Sequence, residues 1–267
     1  MNKTALLIPH YNEPDGLIKS LSSINCEENI DVFIIDDGSQ KEKIREEETK
    51  QAFCANGEIF FEYIEQNVGL ENALNVGLKN IISKGIYTYI ARLDCGDLCI
   101  GKRFSIQEKF LNENPKIMLL SANVICVDLQ GNFIYNLIFP ENSKQIRKKM
   151  YLNSMFSHPC SMYRAEVIDK VGYYPTKYKV AEDYEFFFKI VKNYETANLQ
   201  QYLLKYEINP NGISLSKRKI QVGGRIKIIM DNFYFGFWPI YGLVRNCILY
   251  FISHSFLLKI KKALKKA

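Results

Sequence analysis

Short unbroken apolar runs alternate along this chain with stretches in which apolar residues recur every three or four positions. Thr4 to Ile8 is the first such run, and it stops at Pro9-His10-Tyr11-Asn12. Asp31 to Ile35 is the second, and it stops at Asp36-Asp37-Gly38-Ser39. Between them Leu17, Ile18, Leu21 and Ile24 keep helical spacing, which predicts strand, helix, strand. Ile59 to Ile64 predicts a third strand, Val68 to Ile82 a helix, and Tyr87 to Leu93 a fourth strand running into Asp94-Cys95-Gly96-Asp97. Alternation of this kind over the first 120 residues predicts a largely parallel, doubly wound α/β sheet, whose ligands bind at the carboxyl ends of the strands. Every polar and acidic cluster just named falls at such an end.

After Pro115 the pattern changes. Ile117 to Leu120, Asn123 to Val127 and Phe133 to Ile138, with Gln130-Gly131-Asn132 before the last, predict a strand and a hairpin. Helical pieces are expected near Lys144 to Tyr151, Ala165 to Val171 and Asp183 to Lys192. From Phe233 to Leu258 the chain is apolar and aromatic, but Pro239, Gly242, Arg245, Asn246 and His254 interrupt it, so a clean membrane span of about 20 residues is not written there. Lys259, Lys261, Lys262, Lys265 and Lys266 follow. An apolar stretch with a polybasic end predicts an amphipathic helical tail lying in a membrane interface, attracted to anionic lipid. A helix packed on the body, a homodimer contact or a kinked transmembrane helix are the competing readings.

Charge sharpens this division. The formal net charge is +6, yet residues 220–267 hold eight Lys or Arg against one acid, Asp231, so the preceding 219 residues carry −1. The body therefore has no electrostatic footprint for a nucleic acid. Seven cysteines, Cys26, Cys54, Cys95, Cys99, Cys126, Cys160 and Cys247, are scattered without a C-x-x-C pair and are expected to be reduced thiols. The amino-terminal apolar run is too short for a signal-peptide core, so a cytoplasmic protein attached to the inner face of the membrane is expected.

The fold as predicted brings Asp36 and Asp37 to the same sheet edge as Asp94 and Asp97. Four crowded carboxylates repel one another unless a cation offsets them, and carboxylate oxygens suit Mg²⁺ or Mn²⁺ bridging the phosphates of a nucleotide. Helix capping and Asx turns are the simpler use for any one of them alone. Glu182 and Asp183 open an apolar helix, whose amino-terminal dipole is expected to help keep a carboxylate ionised.

These segments together resemble the family 2 glycosyltransferases of the GT-A fold. The matching stretches are Ile8-Pro9-His10-Tyr11-Asn12-Glu13, Ile34-Ile35-Asp36-Asp37-Gly38-Ser39, Asn67-Val68-Gly69-Leu70, Tyr89-Ile90-Ala91-Arg92-Leu93-Asp94-Cys95-Gly96-Asp97 and Glu182-Asp183-Tyr184-Glu185. They stand in the family's order, and the likeness runs from about Thr4 to about Lys219. It implies a Rossmann-like mixed sheet flanked by helices and a GT-A domain over residues 1–219, which leaves residues 220–267 as the helical, basic tail.

By the same resemblance Pro9, Tyr11 and Glu13 hold the nucleoside, Asp36 and Asp37 contact base and ribose, and Asn67 and Gly69 close under the nucleotide. Arg92, Asp94 and Asp97 lie in the segment facing ribose and metal diphosphate. Gly96 stands where many members carry another Asp, so Asp97 is expected to ligate Mg²⁺ or Mn²⁺ together with Asp94. Asp183 matches the catalytic base, with Glu182 positioning acceptor or base. His158, in Ser157-His158-Pro159, is expected near acceptor or diphosphate, a structural histidine being the alternative. Lys217, Arg218 and Lys219 in the stretch from Ser214 would form a basic lid or an exposed loop. The expected activity is inverting, metal-assisted transfer of a sugar from a nucleotide-diphosphate donor to a glycan, lipid-linked, in surface polysaccharide synthesis. A sugar-phosphate nucleotidyltransferase and a non-catalytic scaffold are the alternatives.

Overall fold

A computed structural model describes residues 2–178, 180–209 and 217–252. Ser214 to Ser216, His254 and the terminal lysines lie outside the described residues. The strands are β1 (Thr4–His10), β2 (Ile30–Asp36), β3 (Ile59–Tyr63), β4 (Tyr89–Arg92), β5 (Leu98–Cys99), β6 (Ile117–Val127), β7 (Phe133–Leu137), β8 (Met162–Arg164) and β9 (Glu195–Glu207). The helices are α1 (Pro14–Ser22), α2 (Glu46–Ala52), α3 (Leu70–Lys84), α4 (Arg103–Glu113), α5 (Ser143–Lys149), α6 (Val167–Val171), α7 (Glu182–Asn193), α8 (Arg218–Asp231) and α9 (Phe237–Phe251).

One mixed sheet runs in the order β3-β2-β1-β4-β8-β6-β9-β5, with β7 pairing β6. Its first four strands are parallel. Beyond them β8 is antiparallel to both β4 and β6, while β9 is parallel to β6 and antiparallel to β5. The unbroken apolar runs are explained by burial on both faces. Leu6, Ile8, Val32 and Ile34 point into one core with Leu17 and Leu21 of α1 and Phe104 of α4. Ala5, Leu7, Phe33 and Ile35 point into the other, beneath α3, α5, α6, α7 and α8. Each fully buried Leu or Ile there contributes roughly 1.5–3 kcal/mol of transfer free energy.

One helix without a signal in the sequence and one overturned cysteine expectation each have a physical reason. α4 lacks an apolar stripe because two of its inward positions are polar: Arg103 and Gln107 are fully buried. Arg103 donates to the Arg92 carbonyl at 2.7 Å, and Gln107 donates to the Cys160 carbonyl at 2.8 Å. Cys26 and Cys54, expected as thiols, form a disulfide, while Cys95, Cys99, Cys126, Cys160 and Cys247 are free. The two lie 28 residues apart, but each sits just before a parallel strand, which brings their Cα atoms within 4.7 Å at the sheet edge away from the acidic clusters.

The tail continues the body. α8 buries Val222, Ile228 and Ile229, and the last two join the core beneath α7. On α9 the residues that read as interruptions form the docking face: Pro239, Gly242 and Asn246 are buried. A Cβ on Gly242 would lie 2.1 Å from the Tyr151 carbonyl oxygen, so only glycine permits this approach. Asn246 and Arg245 then donate to the Leu152 carbonyl at 3.3 and 2.9 Å. No helix among the described residues is long and apolar enough to cross a membrane.

Candidate active site

The carboxyl ends of β1 and β2 carry a closed hydrogen-bonded network. Asp36 accepts from His10 Nδ1 at 2.9 Å and from the backbone N–H and hydroxyl of Ser39. His10 Nε2 in turn accepts the Glu13 N–H at 3.2 Å, which leaves the ring proton on Nδ1. Asn12, with φ of +50°, accepts from the N–H groups of Lys41 and Glu42 and so joins the two loops. Asp37 accepts from Val68 N–H at 2.8 Å, Gly69 N–H at 3.1 Å and Asn67 Nδ2 at 2.9 Å. Burial raises its pKa, and the Val68 and Gly69 N–H groups oppose that rise. Asp36, Asp37, Asn67 and Gly69 are therefore brought together as expected, but Asp37 spends its oxygens on the loop itself. Tyr11 stands half exposed beside them, and Pro9 is in register with Ile35 inside the sheet.

Arg92, fully buried at the end of β4, organises the next group. It donates to the Leu7 carbonyl at 2.7 Å, to Asp94 Oδ1 at 2.6 Å and to His158 Nε2 at 3.4 Å. A buried guanidinium without a carboxylate is costly, so Arg92 and Asp94 hold each other in place. Burial, and then the Arg92 charge, push the His158 pKa well down, so this histidine is neutral. Its Nε2 faces Arg92, which can only donate, and accepts from Tyr174 OH at 2.9 Å, leaving the proton on Nδ1. His158 acts on Asp94 through Arg92.

Asp97 lies deeper, 3% exposed, with Oδ1 accepting the Glu207 N–H at 2.8 Å and Oδ2 buried without a hydrogen-bond partner. Burial, reinforced by Asp94, holds its pKa well above the usual carboxylate range. Gly96 has φ of +91°, and a Cβ there would come within 3.0 Å of Glu207 Oε1 and 3.8 Å of Glu13 Oε1. The space that a side chain at this position would fill is thus occupied by two other carboxylates, one of which, Glu207, is ion-paired with Lys19. Glu13 is raised by burial, then by Glu207 and Asp94.

Glu182 and Asp183 open α7, two residues after Val180, whose φ of +65° strains a β-branched residue. The Glu182 side chain is buried with Oε2 unpartnered. Burial and then Asp183 raise its pKa, while Asp183 is raised by burial against the opposing Tyr184 N–H and Arg225. Burial outweighs the helix terminus expected to keep this pair ionised. Asp94 also raises both residues. It is thus the electrostatic neighbour of the α7 pair on one side and of Asp97 and Glu13 on the other.

Could these residues hold a divalent cation? Among the described residues no group of three or more His, Cys, Asp or Glu could hold one by itself. The donors at hand are hard carboxylate oxygens: Asp94, with its side chain 35% exposed, and the orphaned Oδ2 of Asp97. Such a set fits Mg²⁺ or Mn²⁺ completing its shell from phosphates and water.

Residues 5–172 match the model of Glycosyl transferase family 2. The chain belongs to that family. This family 2 glycosyltransferase is 30% identical over 222 residues to an uncharacterized glycosyltransferase of Methanocaldococcus jannaschii, covering 81% of this chain and 74% of the relative. It is 26% identical over 253 residues to the amylovoran biosynthesis glycosyltransferase AmsE of Erwinia amylovora, covering 91% and 92%. Among solved structures it is similar to S. aureus TarS 1-349 in complex with UDP, with a TM-score of 0.63 at 18% identity over 86% of this chain and 66% of that one. The mannosyltransferase PcManGT from Pyrobaculum calidifontis, in complex with GDP-Man and Mn²⁺, gives a TM-score of 0.62 at 13% identity over 99% and 81%. These two likenesses show the GT-A-like mixed sheet. Family membership sets aside the nucleotidyltransferase and scaffold alternatives.

The motif residues missed above their neighbours are His10 and Ser39, which lie within recognised stretches, and Tyr174, Glu207 and Arg225, for which the sequence holds no local signal.

Proposed function

We propose that this family 2 enzyme transfers a sugar, with inversion, from a nucleoside-diphosphate donor to a hydroxyl of a lipid-linked glycan in surface polysaccharide assembly. The observation that carries the reading is the placement of Asp94 as electrostatic neighbour to the acidic loop at the sheet edge and to Glu182 and Asp183. The name of AmsE and the UDP and GDP-Man complexes of the structural neighbours support it.

Pro9, Tyr11, Glu13 and Asp36 form the nucleoside pocket, with Asp37 shaping its floor through Asn67 and Gly69. Arg92, held by His158, fixes Asp94 toward ribose and diphosphate. Asp94 is the accessible ligand and Asp97 the inner one for Mg²⁺ or Mn²⁺, which supplies charge neutralisation to the departing diphosphate when bound. Asp183 accepts the proton of the acceptor hydroxyl as its oxygen bonds to the anomeric carbon and the bond to the nucleoside diphosphate breaks. A raised pKa suits this role, since a base titrating nearer neutrality takes a proton more completely. Glu182 positions Asp183 and the acceptor. The tail attaches the enzyme peripherally to the inner face of the cell membrane, raising the local concentration of a lipid-linked acceptor.

A thermal-shift panel of UDP, GDP and dTDP sugars, with and without Mn²⁺, tests this on the wild type and Asp94→Asn. Stabilisation by one nucleotide class that needs both the metal and Asp94 is expected. No shift with any donor would overturn the reading.

A further inference from the structure

The helices after residue 217 carry a charge that the fold does not balance. From Lys217 to Ile252 there are six Lys or Arg against one acid, Asp231, which is itself paired with Lys177. Three of the six, Arg218, Arg225 and Arg245, are half-buried rather than solvated. Each is tethered through neutral acceptors. Arg218 donates to the Leu249 and Ile252 carbonyls at 2.7 and 3.0 Å, Arg245 to the Leu152 carbonyl at 2.9 Å, and Arg225 to Gln221 Oε1 at 3.0 Å. Among the described residues none of the three ion-pairs with a carboxylate. Burial lowers the Arg225 pKa; Tyr184 and Asp183 oppose this, and Arg245 and Arg218 add to it. Like charges gathered in a half-buried place beside the start of α7, with Asp183 as the one carboxylate acting on Arg225, suit an anion from outside the chain.

The same helices say what that anion is attached to. Phe237, Tyr241, Val244, Ile248 and Phe251 recur at spacings of four and three along α9 and are all exposed, Phe237 at 69% and Phe251 at 84%. The opposite face is locked onto the Tyr151–Leu152 backbone, so this apolar face points outward. An apolar helix face beside clustered arginines matches a lipid whose headgroup is a phosphate.

We propose that Arg225 and Arg245, backed by Arg218, form a subsite for the phosphate of a lipid-linked acceptor, held beside Asp183 while its chain lies along the exposed face of α9. The proposal rests on Asp183 being the base that meets the acceptor. Arg225 and Asp94 both act on Asp183, but Asp94 is already held by Arg92, whereas Arg225 has no ion-pair partner among the described residues. A guanidinium recognises phosphate through paired N–H donors, which an exposed lysine does not reproduce.

Binding of the full chain to phosphatidylcholine vesicles carrying polyprenyl phosphate, against vesicles with the same mole fraction of phosphatidylglycerol, tests this without donor or turnover. The wild type is expected to prefer polyprenyl phosphate by about tenfold, the size of one charge-assisted hydrogen bond pair. Arg225→Gln and Arg245→Gln should abolish the preference, Arg225→Lys should keep part of it, and Lys227→Gln, on an exposed residue, should leave it intact. Equal binding to both vesicles by the wild type, or a preference surviving both glutamine substitutions, would overturn the subsite. Displacement by an equal concentration of inorganic pyrophosphate would overturn its assignment to a lipid. A wild type that selects polyprenyl phosphate yet responds to no nucleotide sugar would keep the subsite and sink the transfer role given to Asp183.

Discussion

The end of β2 and the start of α7 each present two adjacent acids, and they are built in opposite ways. At Asp36 and Asp37 the two carboxylates accept from His10, Ser39, Asn67, Val68 and Gly69, and the loops around them are shaped by those bonds. At Glu182 and Asp183 the carboxylates are held in low-dielectric surroundings and one oxygen of Glu182 has no partner. Position in a motif does not separate these cases. Hydrogen-bond satisfaction separates Asp37 from Glu182: a satisfied acid organises the backbone, and an unsatisfied one waits for a ligand or a proton.

The contrast is broken most sharply by Asp183→Asn, which removes the proposed base while keeping the side-chain shape. Steady-state turnover is expected to fall by about 10²- to 10⁴-fold with an unchanged melting temperature. Asp37→Ala should do the reverse in kind. Losing the acceptor for the Val68 and Gly69 N–H groups is expected to cost about 1–3 kcal/mol in urea unfolding. Gly96→Ala, at φ of +91° and against Glu207, should cost about 1–2 kcal/mol by the same measurement. Glu182→Gln is read by the sign of its effect. A carboxyl raised in the folded state adds stability that is fully present below its ordinary value of 4.5 and is lost as pH rises through the raised value. The wild type should therefore lose stability over that interval on a pH series of melting temperatures, and Glu182→Gln should flatten the loss.

How much of this was legible depended on what each residue faces. β1, β2 and β4 announced themselves because both their faces are buried, giving apolar runs that end where the ligand loops begin. α4 did not, since Arg103 and Gln107 turn inward to satisfy backbone carbonyls. β9 was hidden by its polar stretch, in which the Asn198 N–H donates to the Glu141 carbonyl, the Gln200 amide donates to the Phe139 carbonyl, and the register with β6 shifts. In the tail, Pro239, Gly242 and Asn246 looked like defects in a membrane segment and are the contact surface with the body. Bringing Arg225 into the electrostatic reach of Asp183, and Glu207 into the space above Gly96, requires tertiary structure that no local spacing encodes.

The division between acids that build and acids that react is tested most directly by one calorimetric comparison: the affinity for the stabilising nucleotide sugar in the wild type, Asp37→Asn and Asp183→Asn. Weakened binding in Asp37→Asn with unchanged binding in Asp183→Asn is the predicted result. Unchanged affinity in Asp37→Asn, or lost affinity in Asp183→Asn, would contradict it.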